Sequence, residues 1–501
     1  MSFQELSRTD MLRCVLCKDA PCEAACPHAL PMKALTGIWF ENSRAAAAEL
    51  PPENPCADCP ASCEEACVRA GEVPVKALVG QMYGIRAGLD VPAPANTDRL
   101  RTSLCGVPLE NPFLLSSSVV ASTYDMCARA FEAGWAGASF KTICTFDIHE
   151  ASPRFSAIRG SSGELIGFKN IEQLSDHSVV ENMEIFRHLK QTFPEKRILA
   201  SIMGQNEREW EELAGLCQDN GADAVELNFS CPNMAEGGLG SDIGQIPALV
   251  ERFTAAAKRG CSIPVLAKLT PNVASMVPAG EAALRGGADG LSAINTIKSI
   301  TGMNPHTLVS GPAVHGRSAI GGYSGSAVKP IALKFIMELA KAPALSGLHL
   351  SGMGGIETWA DALDFLLMGA GSLQVTTAVM QYGYRIIRQL KSGLNYYLAE
   401  KGYASVEEVV GLGLDAVDST TDALERDTVL FPKFHEERCL GCGRCVISCQ
   451  DGGHSAIRWG EDRKPRLAGK YCVGCHLCML VCPGRAISPS RKRITRAAKK
   501  Q

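Results

Sequence analysis

Two cysteine runs near the C-terminus are spaced for metal clusters: Cys439-x2-Cys442-x2-Cys445-x3-Cys449, then Cys472-x2-Cys475-x2-Cys478-x3-Cys482-Pro483. In this spacing three cysteines hold one [4Fe–4S] cluster and the fourth crosses to the other. One cluster is therefore expected on Cys439, Cys442, Cys445 and Cys482, and a second on Cys472, Cys475, Cys478 and Cys449. Structural zinc is the alternative, but zinc sites usually pair two CxxC units instead of running three cysteines at this spacing. A further set, Cys14-x2-Cys17-x4-Cys22-x3-Cys26-Pro27 and then Cys56, Cys59, Cys63 and Cys67, lies near the other end. Zinc is a stronger alternative there.

The chain has 501 residues, 22 of them cysteine, and only six cysteines lie in its long middle. Of these, Cys105, Cys127, Cys217 and Cys261 read as buried thiols, and Cys144 stays ambiguous. A chain of this length predicts two or three domains. The hydrophobic fraction is 46% and the charged fraction 21%, with a net charge of −3. That balance gives no reason to expect nucleic acid as a partner. No apolar stretch is long enough for a membrane span, and the start, MSFQELSRTDML, lacks the regions of a signal peptide. A cytoplasmic protein is expected, in which cysteines stay reduced and serve as ligands or nucleophiles, not as a disulfide framework.

What must position any chemistry in the middle is legible from apolar runs, each followed by a helix-like stretch. Eight recur: FLLSSS (113–118), GASFKTI (137–143), RILASIM (197–203), AVELNFS (224–230), PVLAKLT (264–270), GLSAINT (290–296), GLHLSGM (347–353) and SLQVTTA (372–378). Several of the helical stretches close on a glycine, at Gly134, Gly221, Gly287 and Gly369. Continuous hydrophobicity marks parallel strands covered on both faces, and eight βα units in this span predict a (β/α)8 TIM barrel. A doubly wound open sheet is the competing fold. In a barrel the chemistry sits at the C-terminal strand ends. Polar residues collect at those ends: Lys141, Thr142, Asn206, Asn228, Ser230, Lys268, Asn295, Thr296, Gly354, Gly355, Thr376 and Thr377. A lone Asn there is usually a loop cap, but so many ends together point to one polar ligand over the mouth. Gly354-Gly355 before a helix starting at Glu357 or Thr358 predicts a phosphate seat, with a second at Tyr323-Ser324-Gly325. Lys268 is suited to balance the negative charge of a reduced flavin, or else to a structural ion pair.

The motifs SFKTI (139–143), NFSCPNM (228–234), AKLTPNV (267–273), AINTIKSIT (293–301), GGYSGSAVKPIAL (321–333) and the stretch from Gly354 to Ile386 resemble the dihydropyrimidine dehydrogenases. More distantly they resemble the dihydroorotate dehydrogenases. The likeness runs from about residue 100 to 485 and implies an FMN-carrying enzyme that interconverts uracil or thymine with the 5,6-dihydro base. Cys231 matches the family's acid/base cysteine, against the alternative of a buried structural thiol. Asn206, Asn228, Ser230, Asn295 and Thr296 match its pyrimidine-binding residues. Ser117, Lys141, Thr142, Asn206, Lys268, Gly325, Gly354, Gly355, Thr376 and Thr377 match its FMN contacts. A carboxamide answers both the N–H donors and the C=O acceptors of a uracil ring. Where some members carry His after Ser-Cys-Pro, this chain has Asn233.

The N-terminal cysteines resemble the helical iron–sulfur domain of the long, single-chain dihydropyrimidine dehydrogenases and of the glutamate synthase small subunit. That likeness implies two further [4Fe–4S] clusters, one on Cys14, Cys17, Cys22 and Cys67. The other would use Cys26, Cys59 and Cys63 with Cys56 or Gln81; the long enzyme uses a glutamine, and the ungapped position here is Val79. The expected order is a helical iron–sulfur domain (1–98), the barrel (99–400), a linker (401–430), a two-cluster ferredoxin-like domain (431–486) and a basic tail (487–501). The only near match to a dinucleotide turn, Gly411-x-Gly413-x-x-Ala416, follows what reads as a helix end. A separate FAD- and NAD(P)-binding flavoprotein is thus an expected partner, and oligomerisation is expected too. The rival functions are a dihydroorotate dehydrogenase and an electron-transfer subunit without catalysis.

Overall fold

The computed structural model describes residues 14–32, 43–69, 72–160, 163, 165–232 and 240–495. They fall into two compact units, Met1–Ala416 and Val417–Gln501.

The first unit is built on a closed parallel barrel of eight strands: β1 (Phe113–Leu115), β2 (Gly137–Ser139), β3 (Arg197–Ile202), β4 (Ala224–Asn228), β5 (Val265–Lys268), β6 (Gly290–Ala293), β7 (His349–Met353) and β8 (Ser372–Val375). Each strand pairs with its neighbours in sequence, and β8 closes onto β1. All eight predicted runs contain their strand. Most strands are shorter than their runs, because polar residues such as Lys141, Thr142, Ser230, Asn295 and Thr376 lie past the strand end, at the mouth. Gly134 caps its helix at φ +112°, the left-handed conformation that releases the chain straight into β2.

The cysteine-rich N-terminal segment shares this unit. Helix Val75–Arg86 buries Val75, Leu78, Val79 and Met82, at helical spacing. These pack with Leu30, Met32, Leu50, Cys56, Cys63 and with Tyr396 from the barrel's last helix, Ile386–Lys401. Arg44 pairs with Glu400 at 2.6 Å, and the Arg385 guanidinium donates to the carbonyls of Leu16 and Cys17.

Two expected boundaries differ from the structure. Residues 402–416 are not linker: Val406 and Val409 are fully buried in the barrel core, and the Gly411 and Gly413 amides donate to Leu366 and Leu367 at 2.8 and 3.0 Å. The basic tail is also ordered as far as Thr495. Ile487–Thr495 pairs antiparallel with Thr428–Phe434 in the second unit; residues 496–501 lie outside the described residues. That unit also holds helices Arg444–Asp451 and Leu477–Leu480 and a small hairpin, Ile457–Trp459 with Pro465–Leu467.

Candidate active site at the barrel mouth

The segments after β2 and β6 fold into a four-stranded antiparallel sheet, in the order Ile297–Ser299, Gly321–Ser324, Leu165–Asn170, Phe155–Arg159. It brings Phe155, Phe168, Asn170 and Tyr323 to the cavity that the barrel's strand ends line. The Tyr323 ring packs on the bare backbone of Gly167, where a Cβ would stand 1.9 Å from its hydroxyl and displace it. Fully buried Lys169 anchors the sheet to the 300–320 loop through Gly311 O at 2.9 Å and Ser318 Oγ at 3.3 Å, and burial lowers its pKa.

The cavity holds about 1130 Å³ of atom-free space, part of it open to solvent. Its lining gathers Ser117, Lys141, Thr142, Asn228, Cys231, Asn295, Thr296, Gly325, Gly354, Gly355, Thr376 and Thr377, residues that lie more than 250 positions apart at the extremes. Ser230 and Lys268 sit directly behind them. A hydrogen-bonded chain crosses four strand ends: Ser201 Oγ to Thr142 Oγ1 at 2.8 Å, Asn228 Nδ2 to Thr142 Oγ1 at 2.8 Å, Ser230 Oγ to Asn228 Oδ1 at 2.9 Å, and Asn295 Nδ2 to Ser230 Oγ at 2.9 Å. It fixes the orientation of both carboxamides. Cys231 follows this chain and is buried. Gly240 returns so closely that a Cβ would lie 2.3 Å from the Cys231 carbonyl oxygen. Asn233 lies outside the described residues. Buried Cys144 is pushed up to about 11, by burial first, and Cys231 is among the minor influences on it.

Asn206, expected among the binding residues, is not in the lining of this cavity. It is exposed and caps helix Glu207–Asp219, its Oδ1 accepting from Glu209 N at 3.2 Å and its Nδ2 donating to Glu209 Oε1 at 2.7 Å. The expected phosphate seat also differs. The helix after β7 is Trp359–Leu367, and a capping box occupies amides at its entry: Asp361 Oδ2 accepts from Glu357 N and Thr358 N at 3.1 and 2.8 Å, and Thr358 Oγ1 accepts from Asp361 N at 3.0 Å. The loop Gly354–Ile356 faces the cavity instead. Gly354 and Gly355 have φ of +119° and +83°, and a Cβ on Gly355 would stand 2.9 Å from Gly325 O. Two bare backbone segments thus meet at one end of the cavity, a cradle that fits a phosphate better than any side chain would. Glu357 lies in the same lining; burial pushes its carboxyl up to about 7, and Asp361 pushes the same way.

Sequence reasoning missed the acids. Lys141 Nζ stands 2.9 Å from Glu172 Oε2 and 3.3 Å from Glu150 Oε1, and Arg154 Nε bonds Glu172 Oε1 at 2.9 Å. Lys268 Nζ, 1% exposed, meets Ser117 Oγ at 2.8 Å, Ser116 Oγ at 3.2 Å and Glu226 Oε1 at 3.2 Å. Glu226 is itself fully buried and accepts from Ser139 Oγ at 2.9 Å and Gln374 Nε2 at 2.8 Å. Burial raises the Glu226 carboxyl, but Lys268 and these hydrogen bonds outweigh it and hold it below the ordinary carboxylate range. A glutamate inside an otherwise apolar strand run was the available signal, because such a group is buried only with a partner.

In the second unit Cys449, Cys472, Cys475 and Cys478 line one small cavity, and Cys439, Cys442, Cys445 and Cys482 line another. Backbone amides of Ala456 and Ala486 donate to the sulfurs of Cys449 and Cys482, each at 3.3 Å. Exchange of the fourth cysteine between the two runs is the arrangement their spacing predicts, and amide-to-sulfur hydrogen bonds suit cluster thiolates. No helix among the described residues is long and apolar enough to cross a membrane.

Comparison with known proteins adds the following. Residues 99–398 match the family model described as dihydroorotate dehydrogenase, and residues 433–488 match a 4Fe-4S dicluster domain. The chain is 50% identical over 388 residues to the NAD-dependent dihydropyrimidine dehydrogenase subunit PreA of Escherichia coli, covering 77% of this chain and 94% of that protein. It is 35% identical to the chloroplastic dihydropyrimidine dehydrogenase (NADP(+)) of Arabidopsis thaliana, covering 68% of this chain and 83% of that protein. With the catalytic subunit of dihydroorotate dehydrogenase B (NAD(+)) from Pyrococcus abyssi the identity is 39%, covering 63% of this chain and 99% of that protein.

Proposed function

The chain belongs to the dihydroorotate dehydrogenase family and is an oxidoreductase with a 4Fe-4S dicluster domain, and from that premise we propose that it is a dihydropyrimidine dehydrogenase subunit acting on uracil or thymine. The observation that carries this reading is the single cavity that collects Cys231, Asn228, Asn295 and Thr296 together with the Gly325 and Gly354-Gly355 backbone cradle. FMN would be held by Ser117, Lys141, Thr142, Lys268, Gly325, Gly354, Gly355, Thr376 and Thr377. When bound, it supplies or accepts the hydride at carbon 6 of the pyrimidine. The Asn228 and Asn295 carboxamides, fixed by the strand-end chain, orient the base through its N–H and C=O edges. Cys231 holds the proton given to or taken from carbon 5, and a thiol with an ordinary pKa of about 8.5 is protonated for that task near neutral pH. The buried Lys268, paired with Glu226, stands behind the cavity wall and donates to Ser117 Oγ.

The lining also favours a neutral base over the carboxylate substrate of dihydroorotate oxidation. A substrate carboxylate wants an unneutralised cation. Among the described lining residues the cation is Lys141, and Glu150 and Glu172 already neutralise it. A neutral base suits this wall better. The clusters of the second unit would sit on Cys439, Cys442, Cys445 and Cys482, and on Cys472, Cys475, Cys478 and Cys449. Two more would sit in the N-terminal segment, and electrons would come from a partner flavoprotein subunit. Oligomerisation and a cytoplasmic setting complete the reading.

The test is anaerobic turnover with a low-potential artificial donor on uracil, thymine and orotate. Uracil or thymine is expected to turn over and orotate not; the reverse order overturns the reading. Cys231→Ala is expected to retain flavin and bind uracil while losing about 10²–10⁴-fold in turnover, the usual cost of removing a general acid. Turnover within threefold of the unsubstituted enzyme would remove Cys231 from its role.

A further inference from the structure

Below the cavity the barrel interior is polar, where such a barrel is ordinarily filled with branched apolar side chains. Glu226 stands two residues before Asn228 on the same face of β4, and Asn228 lines the cavity, so Glu226 lies one layer beneath it. Its carboxylate crosses the interior to strands that are not its neighbours in the barrel. Oε1 accepts from Ser139 Oγ on β2 at 2.9 Å, and Oε2 from Gln374 Nε2 on β8 at 2.8 Å. Gln374 Nε2 also reaches Ser351 Oγ at 3.2 Å and Ser292 Oγ at 3.4 Å. Each of these five residues is at most 1% exposed. Toward the cavity the network ends on Lys268, whose Nζ stands 3.2 Å from Glu226 Oε1 and donates to Ser117 Oγ at 2.8 Å. Ser117 lines the cavity, whereas Glu226 does not.

Stability alone does not account for this arrangement, because a buried ion pair is often no more stabilising than apolar residues of the same volume. Local rules of this kind are broken where function requires it. We propose that Glu226 is a positioning residue for the flavin reaction, setting through Lys268 how strongly the barrel favours a reduced, negatively charged flavin over an oxidised one. This rests on the reading that FMN binds in this cavity. Charge beside the ring is one of the means by which a protein tunes a flavin. A lysine with no counter-charge, one side chain behind the cavity wall, would favour the reduced form. Paired with a carboxylate at 3.2 Å it favours that form less, and the flavin passes its electrons to the base more readily.

The experiment is an anaerobic redox titration of the holoenzyme, with FMN in excess, against a dye of known potential; protein stripped of flavin supplies the clusters' contribution for subtraction. Glu226→Gln keeps the shape of the side chain and removes its charge. It is expected to raise the flavin midpoint, so that the ratio of reduced to oxidised flavin at a fixed potential grows about tenfold, which is about 30 mV for a two-electron couple. In a Lys268→Met background the same substitution is expected to leave the midpoint where it was, since a buried carboxyl without a partner neutralises itself. A midpoint that is unchanged or lowered in Glu226→Gln overturns the proposal, and with a reduced thermal midpoint it would show an ion pair that is structural only. An equal rise with and without Lys268 overturns the route through that residue. Should Glu226→Gln fail to fold, Glu226→Asp keeps the charge but draws it one methylene back from Lys268. A smaller rise is then expected, and an unchanged midpoint overturns the proposal. An unsubstituted chain that binds no FMN would instead mean that the underlying reading of the cavity fails.

Discussion

At the scale of single residues, the site divides into side chains that name themselves and side chains that answer them. Cys231, Asn228, Asn295 and the paired glycines belong to the first kind, because their types and positions after apolar runs carry the chemistry. The acids belong to the second: Glu150, Glu172 and Glu226 reach Lys141 and Lys268 from other segments, and no local pattern announces a partner that only folding supplies. Glu226 shows what such a partner is worth. It and Lys268 are both essentially inaccessible, so each makes the other's charge tolerable, and removing one member of a buried pair typically costs about 3–5 kcal/mol. Its folded-state pKa is depressed, so its contribution is present above the unfolded value of about 4.3 and is lost as pH falls through the lower folded value. Glu226→Gln is therefore expected to lower the thermal midpoint at pH 7 and to flatten its fall below about pH 4. A variant whose thermal midpoint follows the unsubstituted curve at every pH would show that the pair contributes nothing.

At the scale of elements, the eight strand runs were legible because parallel strands buried on both faces leave continuous apolar stretches, and their glycine-closed helices mark where each stretch begins. What was not legible was which polar residue past a strand turns inward. Asn206 follows β3 as Asn228 ends β4, yet it faces solvent as the first cap of a helix, holding Glu209 by both ends of its amide. Asn206→Ala is expected to cost about 1 kcal/mol of stability, the usual price of an N-cap, and to leave the KM for uracil unchanged. A clear rise in KM with unaltered stability would return the residue to the substrate site. The C-terminal run misled for a related reason. Arg491, Lys492 and Arg493 suggest a solvated tail by charge alone, but they sit on a two-stranded ribbon whose outward positions tolerate charge, and edge lysines and arginines discourage further pairing. Residues 402–416 fall in the expected linker because they carry no long helical or strand pattern, although Val406 and Val409 are buried in the barrel core.

At the scale of the whole molecule, the question is where electrons enter. A nicotinamide site needs a glycine-rich turn between a strand and a helix, with an acidic residue about 20 positions on. The near match at Gly411 and Gly413 does not lie between a strand and a helix. The segment before it, Val406–Val409, is a short 3-10 helix, and the turn is pinned to the end of helix Trp359–Leu367, where a Cβ on Gly413 would stand 2.6 Å from the Met368 side chain. The strands among the described residues are otherwise accounted for by the barrel, its covering sheet and short antiparallel pairs. The Escherichia coli relative is a subunit described as NAD-dependent, so the nicotinamide chemistry there is compatible with a second chain. The isolated chain, replete in flavin and clusters, is therefore expected not to oxidise NADH or NADPH in the presence of uracil. Activity should appear when an FAD- and NAD(P)-binding partner is added, or when an artificial low-potential donor replaces it. Stopped-flow absorbance at the nicotinamide band decides between the outcomes: rapid uracil-dependent NADH oxidation by the chain alone would require a dinucleotide site that the described fold does not provide. Because one partner donates to clusters and the base is reduced inside the barrel, loss of the clusters should abolish partner-driven turnover while leaving uracil's effect on the flavin spectrum intact.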